Sequence, residues 1–412
     1  MTTVLRADRL IDGSGGPAID DAVLVVDGGK VIGVFEGRAP DGLVPDGAQV
    51  LDYPGCTIVP GLIDAHVHLN LPGDGSLLED AVREPDGVLV ASSAFAANRA
   101  LRAGVTTVRD TGGRGSNTFE LRRSIELGHG AGPRVLACGQ PITITGGHTW
   151  YLGGEADGEE GLRWKVRNMV KLGADAIKVM ASGGGTVNTQ SWRTSFTRKE
   201  LAAVADEAHR LDRKVTAHCL CADAIEYAVE AGVDQLEHGW FIVDAAGRQE
   251  FVPSVADKVA KAGVAITSTL SVMSYMVDTL LAKEQLTHLE QETLDRCRRM
   301  LDDNVAHFAG FREAGVQLVA GTDAGWLHTP FDGVVTEMEL MHRGGMSTAE
   351  AIASATGVSA RVLGIEGTVG TLRPGLAADV LVVGGNPSAD LARLRDVRLV
   401  MQAGQVRVRQ HA

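Results

Sequence analysis

Between residues 57 and 369, short apolar runs alternate with longer amphipathic stretches. Eight runs read as strands: 57–59, 105–108, 134–137, 176–180, 214–218, 235–238, 265–268 and 316–320. Helical stretches fall between them, for example 198–211 and 222–231, each ending near a glycine or a charged stop. Eight strand–helix alternations predict an α/β fold, a closed (β/α)8 TIM barrel. An open doubly wound sheet would need a glycine fingerprint after its first strand, and none stands there.

The two ends have a different texture. Val23-Leu24-Val25-Val26 runs into Asp27-Gly28-Gly29-Lys30, a hairpin-like turn, and Val31-Ile32-Gly33-Val34 follows. Near the other end, 378–383 and 397–401 are strand candidates, the second leading through Gly404 to 406–408. This predicts one small β domain assembled from 1–56 plus 370–412, with the barrel over 57–369.

Composition narrows the class. Of 412 residues 44% are hydrophobic and 22% charged, enough to bury a large core, which excludes a disordered or fibrous chain. Aromatics make up only 4%, so the core leans on Val, Ile, Leu and Ala, as parallel strands buried on both faces do. A net charge of −13 argues against nucleic acid and against an anionic membrane as main partners, and is silent on the substrate. No apolar run approaches the ~18–20 residues of a membrane span, and Met1 to Asp8 carries no signal-peptide core, so a cytoplasmic location is expected. Cys56, Cys138, Cys219, Cys221 and Cys297 are too scattered for a disulfide framework or a zinc ribbon.

Candidate chemistry collects at strand ends, where barrel enzymes carry it. His66 and His68 alternate along the first strand and so share one face. His218, His238 and Asp323 close the fifth, sixth and eighth strands. Lys178 interrupts the otherwise apolar Ala176-Ile177-Lys178-Val179-Met180. A lone ammonium there needs a partner, a lowered pKa or modification. A desolvated amine is nucleophilic, and its carbon dioxide adduct, a carbamate, is an anionic ligand able to bridge two metals. A snorkelling or ion-paired lysine is the other reading of the same residue. Imidazoles and carboxylates together suit zinc and related divalent ions.

These residues lie in segments that resemble the amidohydrolase superfamily, in its branch with a two-metal centre and a carboxylated lysine. The likeness is carried by Val59 to His68, Gly104 to Asp110, Gly173 to Lys178, Ala217-His218, Ala231 to Gly239, Gly321-Thr322-Asp323 and Gly375 to Val380, nearly the whole chain. It implies that the two β-rich ends form that superfamily's small β-sandwich domain, that His66, His68 and Asp323 hold the more buried metal and that His218 and His238 hold the more exposed one. Carboxylated Lys178 and a hydroxide would bridge the two ions, zinc first, with cobalt or manganese also accepted. The implied reaction is hydrolysis of an amide-type C–N bond in a dipeptide, an N-acyl amino acid or an aryl amide. Asp323 would act first as general base and then as acid toward the leaving nitrogen.

Within that superfamily the chain is most similar to the prolidase-like and arginine-carboxypeptidase-like dipeptidases and the ochratoxin-type amidases. Ile142 to His148 carries this likeness and implies that His148 contacts substrate near the scissile carbonyl or at its carboxylate. One position departs. Those dipeptidases usually carry a tyrosine two residues after the fifth-strand histidine to hold the substrate carboxylate, and here Leu220 stands there. This favours a less polar amide, a carbamate or a urea-type substrate, or recognition by another donor such as Arg193 or Trp192. Trp150, Tyr151 and Trp326 are further candidate substrate contacts, and loops 70–88, 183–197, 271–290 and 326–334 are expected to shape the pocket. A one-metal aminohydrolase would not need Lys178, and a catalytically dead scaffold would have lost ligands. Relatives of this kind are commonly oligomeric, so a homo-oligomer is expected.

Overall fold

A computed structural model describes residues 2–410. The N-terminal end carries β1 (Thr3–Leu10), β2 (Ile19–Asp27), β3 (Lys30–Glu36) and β4 (Gln49–Pro60). The middle carries β5 (Leu62–Val67), β6 (Val105–Asp110), β7 (Arg134–Ala137), β8 (Ala176–Met180), β9 (Lys214–Cys219), β10 (Gln235–His238), β11 (Ala265–Thr267) and β12 (Leu318–Val319). The C-terminal end adds β13 (Val380–Gly384), β14 (Val397–Gln402) and β15 (Gln405–Arg409).

The strands of the two ends form one mixed sheet in the order β15-β14-β13-β4-β1-β2-β3. It folds over on itself. Leu5, Leu24 and Ile58 share one apolar cluster with Val380 and Leu399, and the start of β3 meets the segment before β13 through Val31 N to Leu376 O at 2.9 Å. The residues expected to start the barrel, 57–59, are instead the end of β4, where Ile58 pairs with Val382 of β13. Gly61 separates β4 from β5, because any side chain there would run into Thr106, 2.2 Å from a would-be Cβ.

The middle strands are parallel and form a three-stranded sheet, β5-β6-β7, and a five-stranded sheet, β12-β11-β10-β9-β8. Backbone bonds join the two sheets at both edges. On one side Ala65 N donates to Ala320 O at 3.1 Å and His68 N to Ala324 O at 2.7 Å. On the other, Ile142 N donates to Lys178 O and Met180 N to Ile142 O, each at 2.8 Å. The last strand is shorter than the run 316–320, because Val316 N is tied back to Phe311 O at the end of the preceding helix.

Helices pack on the sheets through regular apolar faces. The helix Arg198–Arg210 buries Leu201, Val204, Ala205 and Ala208, the i, i+3, i+4, i+7 stripe, and starts with a Thr197–Glu200 capping box, an arrangement worth about 1 kcal/mol. The segment 271–290, expected as a loop, is mostly the helix Ser271–Leu281, whose Val272, Met273, Val277 and Leu280 are buried. No helix among the described residues is long and apolar enough to cross a membrane. All five cysteines are buried and free.

Candidate metal centre

Strand β5 delivers His66, and His68 follows it. Strand β8 delivers Lys178, β9 His218 and β10 His238, while Asp323 lies just beyond β12. All six side chains are buried and line one cavity of about 300 Å³ at the C-terminal ends of the parallel strands. His66 and His238 have ring centroids 5.2 Å apart, and His218 lies 4.6 Å from His238. Ligand atoms of His66, His238 and Asp323 all fall within 4.8 Å of one another.

Backbone strain marks the same place. His238, Thr269 and Asp323 have φ of 70°, 50° and 61°, left-handed values that non-glycine residues adopt only where the surroundings hold them. Gly321 allows the close approach of β12 to β5, since a Cβ there would lie 2.9 Å from His66 N.

The hydrogen bonds fix the ring orientations. His66 Nδ1 lies 2.6 Å from Glu237 Oε2, and His68 Nδ1 lies 2.9 Å from Gly112 O. Both partners are acceptors, so each Nδ1 carries its proton and each Nε2 faces inward. The two Nε2 atoms are 3.3 Å apart, and Asp323 Oδ1 sits 3.4 and 3.2 Å from them. That oxygen is buried and lies in ion-pair range of both rings, yet it accepts no well-formed hydrogen bond. Two nitrogens and an orphaned carboxylate oxygen aimed at one point are the donor set of a divalent cation. His218 Nε2 points at Gly183 O, 3.2 Å away, and His238 Nδ1 at Thr269 Oγ1, 2.8 Å away, so each keeps its other nitrogen for the cavity.

The electrostatics draw positive charge toward this point. Burial works against ionised Asp323, but His66 and His68 outweigh it and hold the carboxyl well below its usual range. Burial and Lys178 oppose a charged His66, but Glu237 and Asp323 prevail and raise its pKa. Burial pushes His218 and His238 well below the ordinary imidazole value. Lys178 is lowered by burial against the pull of Glu237 and Asp323, and no described residue makes a hydrogen bond or ion pair with its ammonium. An ion-paired lysine is therefore not what β8 presents.

Several positioning residues went unassigned in the sequence reading. Buried Glu237 accepts from Arg109 Nη2 at 2.6 Å and from Thr216 Oγ1, besides holding His66. Arg109 also donates from Nε to Ala65 O at 2.9 Å and so braces β5. Asp64 accepts from Thr322 N and Thr322 Oγ1 at 3.0 and 2.6 Å, which sets the turn that carries Asp323. Each is a charged residue inside a strand, but among polar neighbours such as Gln235, Thr106 and His66, so none stands out as Lys178 does in its apolar run.

The model of the amidohydrolase family matches residues 57–407. The chain belongs to the amidohydrolase family. This amidohydrolase is 29% identical to ochratoxinase of Aspergillus niger over 97% of the chain and 84% of that protein. A Xaa-Pro dipeptidase solved with bound methionine shares 27% identity and a TM-score of 0.84, covering 98% of this chain and 99% of that one. A prolidase solved with n-methylphosphonate-l-proline shares 27% identity and a TM-score of 0.85, with 100% of both chains covered. Like its relatives, the amidohydrolase is a hydrolase of C–N bonds, with a buried His/His/Asp group suited to metal.

The amidohydrolase places the remaining predicted residues unevenly. His148 lines the cavity with Nδ1 2.8 Å from Thr186 Oγ1, and burial lowers its pKa to about 3. Its ring packs against His218 at 4.6 Å and edge-on to Trp326 at 5.3 Å. Leu220, Trp192 and Trp326 also line the cavity. Trp150 and Tyr151 do not: Trp150 is exposed, and Tyr151 packs on the cluster of Leu71, Leu78 and Leu152, with its phenol beside Thr186, the residue that anchors His148. Arg193 is exposed and faces a separate groove beside Asn188 and Gln190. Hydrogen bonds within the 183–195 segment turn it away, its own N–H donating to Gln190 O at 3.1 Å. Much of the cavity wall comes instead from Trp240, Met273, Met276 and Met300, which alternation of strands and helices could not single out.

Proposed function

We propose that this amidohydrolase cleaves the amide bond of a small N-acyl, dipeptide-like or aryl-amide substrate at a two-metal centre. His66, His68 and Asp323 would hold one divalent ion, His218 and His238 the other, and Lys178 as its carbamate would be shared between them. Zinc, cobalt and manganese all suit these donors. The same reading takes the three- and five-stranded parallel sheets as one closed eight-stranded barrel over 57–369, supported by the backbone bonds at both edges. It takes the terminal sheet as a second, smaller domain.

One observation carries the reading. A buried lysine with no hydrogen-bond or ion-pair partner among the described residues opens onto the cavity where four inward-facing histidines and an orphaned carboxylate oxygen meet. A carbamate would replace an unpaired buried cation with an anion that the ions neutralise.

Divalent ions bound there acidify water and polarise a carbonyl oxygen. The chain's own residues do the rest. Asp323, held ionised, takes the proton of the attacking water at its carboxylate and passes it to the leaving nitrogen. Glu237 and the Gly112 carbonyl keep His66 and His68 in the orientation that frees both Nε2 atoms. His148, neutral and anchored through Nδ1, offers its other ring nitrogen to the group beside the scissile bond. Hydrolysis of a carbamate or urea in the same site is the second reading, favoured by the apolar Leu220 on the wall.

Metal analysis of the purified protein and of Lys178→Ala, with hydrolysis of dipeptides, N-acyl amino acids, aryl amides, carbamates and phenylureas, tests this. The expected result is about two ions per wild-type chain and loss of activity in the variant. One ion with full activity in Lys178→Ala would move the protein to the mononuclear aminohydrolases. No metal in the wild type would overturn the reading.

A further inference from the structure

The cavity is graded from base to rim. At its base lie the buried ligand-type side chains. Above them stands an apolar, sulfur-rich wall that includes Met273, Met276 and Met300. The rim is exposed or half-exposed and carries two charges, Asp244 and Arg296.

Those two charges are not equivalent. Asp244 is engaged within its own loop: Oδ1 accepts from Ala246 N at 3.0 Å and Arg248 N at 3.1 Å, and Oδ2 accepts from Arg248 Nε at 3.1 Å. Arg296 makes no hydrogen bond or ion pair with any described residue. Its place is nonetheless defined. Thr293, Arg296, Cys297 and Met300 stand at i, i+3, i+4 and i+7 on the helix His288–Glu313 and line the cavity as one stripe. The Arg296 stem passes Gly247, where a Cβ would meet its Cδ at 3.7 Å. Leu220 leaves the base without a carboxylate-binding hydroxyl, so the rim guanidinium is the fixed cation a substrate anion can reach after crossing the methionine wall.

We propose that Arg296 anchors a substrate carboxylate at the rim, and that the preferred substrate is an aryl amide. Its ring would lie along Met273, Met276 and Met300, and its carboxylate would sit at the end remote from the scissile bond. This rests on the reading of the site as an amide hydrolase. Thioethers at a ring edge favour an aromatic body over an aliphatic one. A guanidinium binds a carboxylate through two parallel N–H donors, which fixes direction as well as charge. At an exposed rim the contact is screened by salt.

The probes are the anion of an ω-(para-acetamidophenyl)alkanoic acid and the uncharged para-alkylacetanilide of equal length, turned over by the metal-loaded wild type, Arg296→Gln and Arg296→Lys. The wild type is expected to favour the carboxylate about tenfold in kcat/KM, mainly through KM, and less at high salt. Arg296→Gln should bring the ratio of charged to uncharged substrate close to one, with Arg296→Lys in between. An unchanged ratio in Arg296→Gln, or no preference in the wild type, overturns the proposal. Failure of the wild type to cleave either anilide counts against the amide-hydrolase reading instead. Calorimetric binding of a phenylalkanoate of the same length then decides on Arg296: weaker binding to Arg296→Gln supports the anchor, and equal binding removes it.

Discussion

His66 Nδ1 and Glu237 Oε2 are 2.6 Å apart, and neither side chain reaches solvent. The bond joins the first parallel strand of the middle segment to the sixth. Glu237 is held from its other side by Arg109, so the orientation of one candidate ligand depends on a network crossing three strands. Glu237→Gln keeps the shape and removes the charge. Metal affinity is expected to fall by about 10–100-fold, as when the partner of a ligating histidine is removed. Competition with a chelator measures it, and excess metal should restore part of the activity.

Gly184 provides the space for His148. A Cβ at this position would lie 2.5 Å from the imidazole. Gly184→Ala should displace the ring, lowering kcat at least tenfold while metal content stays at the wild-type level. Activity equal to wild type would show that His148 does not touch the reacting groups.

Leu220 is buried and its side chain meets the cavity. Leu220→Tyr puts a hydroxyl where the dipeptidases of this superfamily usually carry one. The ratio of Xaa-Pro dipeptide to uncharged anilide hydrolysis is expected to rise. The bulkier ring costs about 1–3 kcal/mol of stability through overpacking. Parallel kinetics and denaturant unfolding separate the two effects.

Glu337 supplies a pH dependence of stability. Burial raises its carboxyl from 4.5 to about 7, against the pull of the Leu270 and Ser271 N–H groups, which donate to it at 3.0 and 2.8 Å. The folded state thus holds this proton more tightly than the unfolded one. Its contribution is complete below pH 4.5 and is lost as pH rises through about 7. Glu337→Gln, which cannot ionise, should lose less stability than wild type between pH 5 and pH 8. Denaturant midpoints for both proteins at the two pH values test the sign.

Reading the chain alone reached far in the middle segment and less far at its edges. Periodic apolar runs located the seven parallel strands after β5, because strands buried on both faces leave no polar alternation to confuse the pattern. The run 57–59 reads as the first barrel strand, since a buried strand looks the same whichever sheet it joins. Only the pairing of Ile58 with Val382 assigns it to the terminal sheet. The segment 271–290 reads as a loop, yet Ser271–Leu281 is a helix in which Val272, Met273, Met276, Val277 and Leu280 recur at helical spacing.

The candidate ligands were legible because each sits where local chemistry is anomalous: a lysine inside an apolar strand, histidines one step apart, an aspartate after a strand. That much is a property of residue order. Which way each ring turns, which oxygen is left without a hydrogen bond, and which loop residues face the cavity depend on groups far apart in the chain. Arg193 lies in an expected loop yet faces a separate groove, while Arg296 reaches the rim from a helix with no motif. The one-dimensional pattern set the chemical alphabet and the succession of strands. The closing of the sheets set the distances, because hydrogen bonds and orphaned charges exist only between groups that folding brings together.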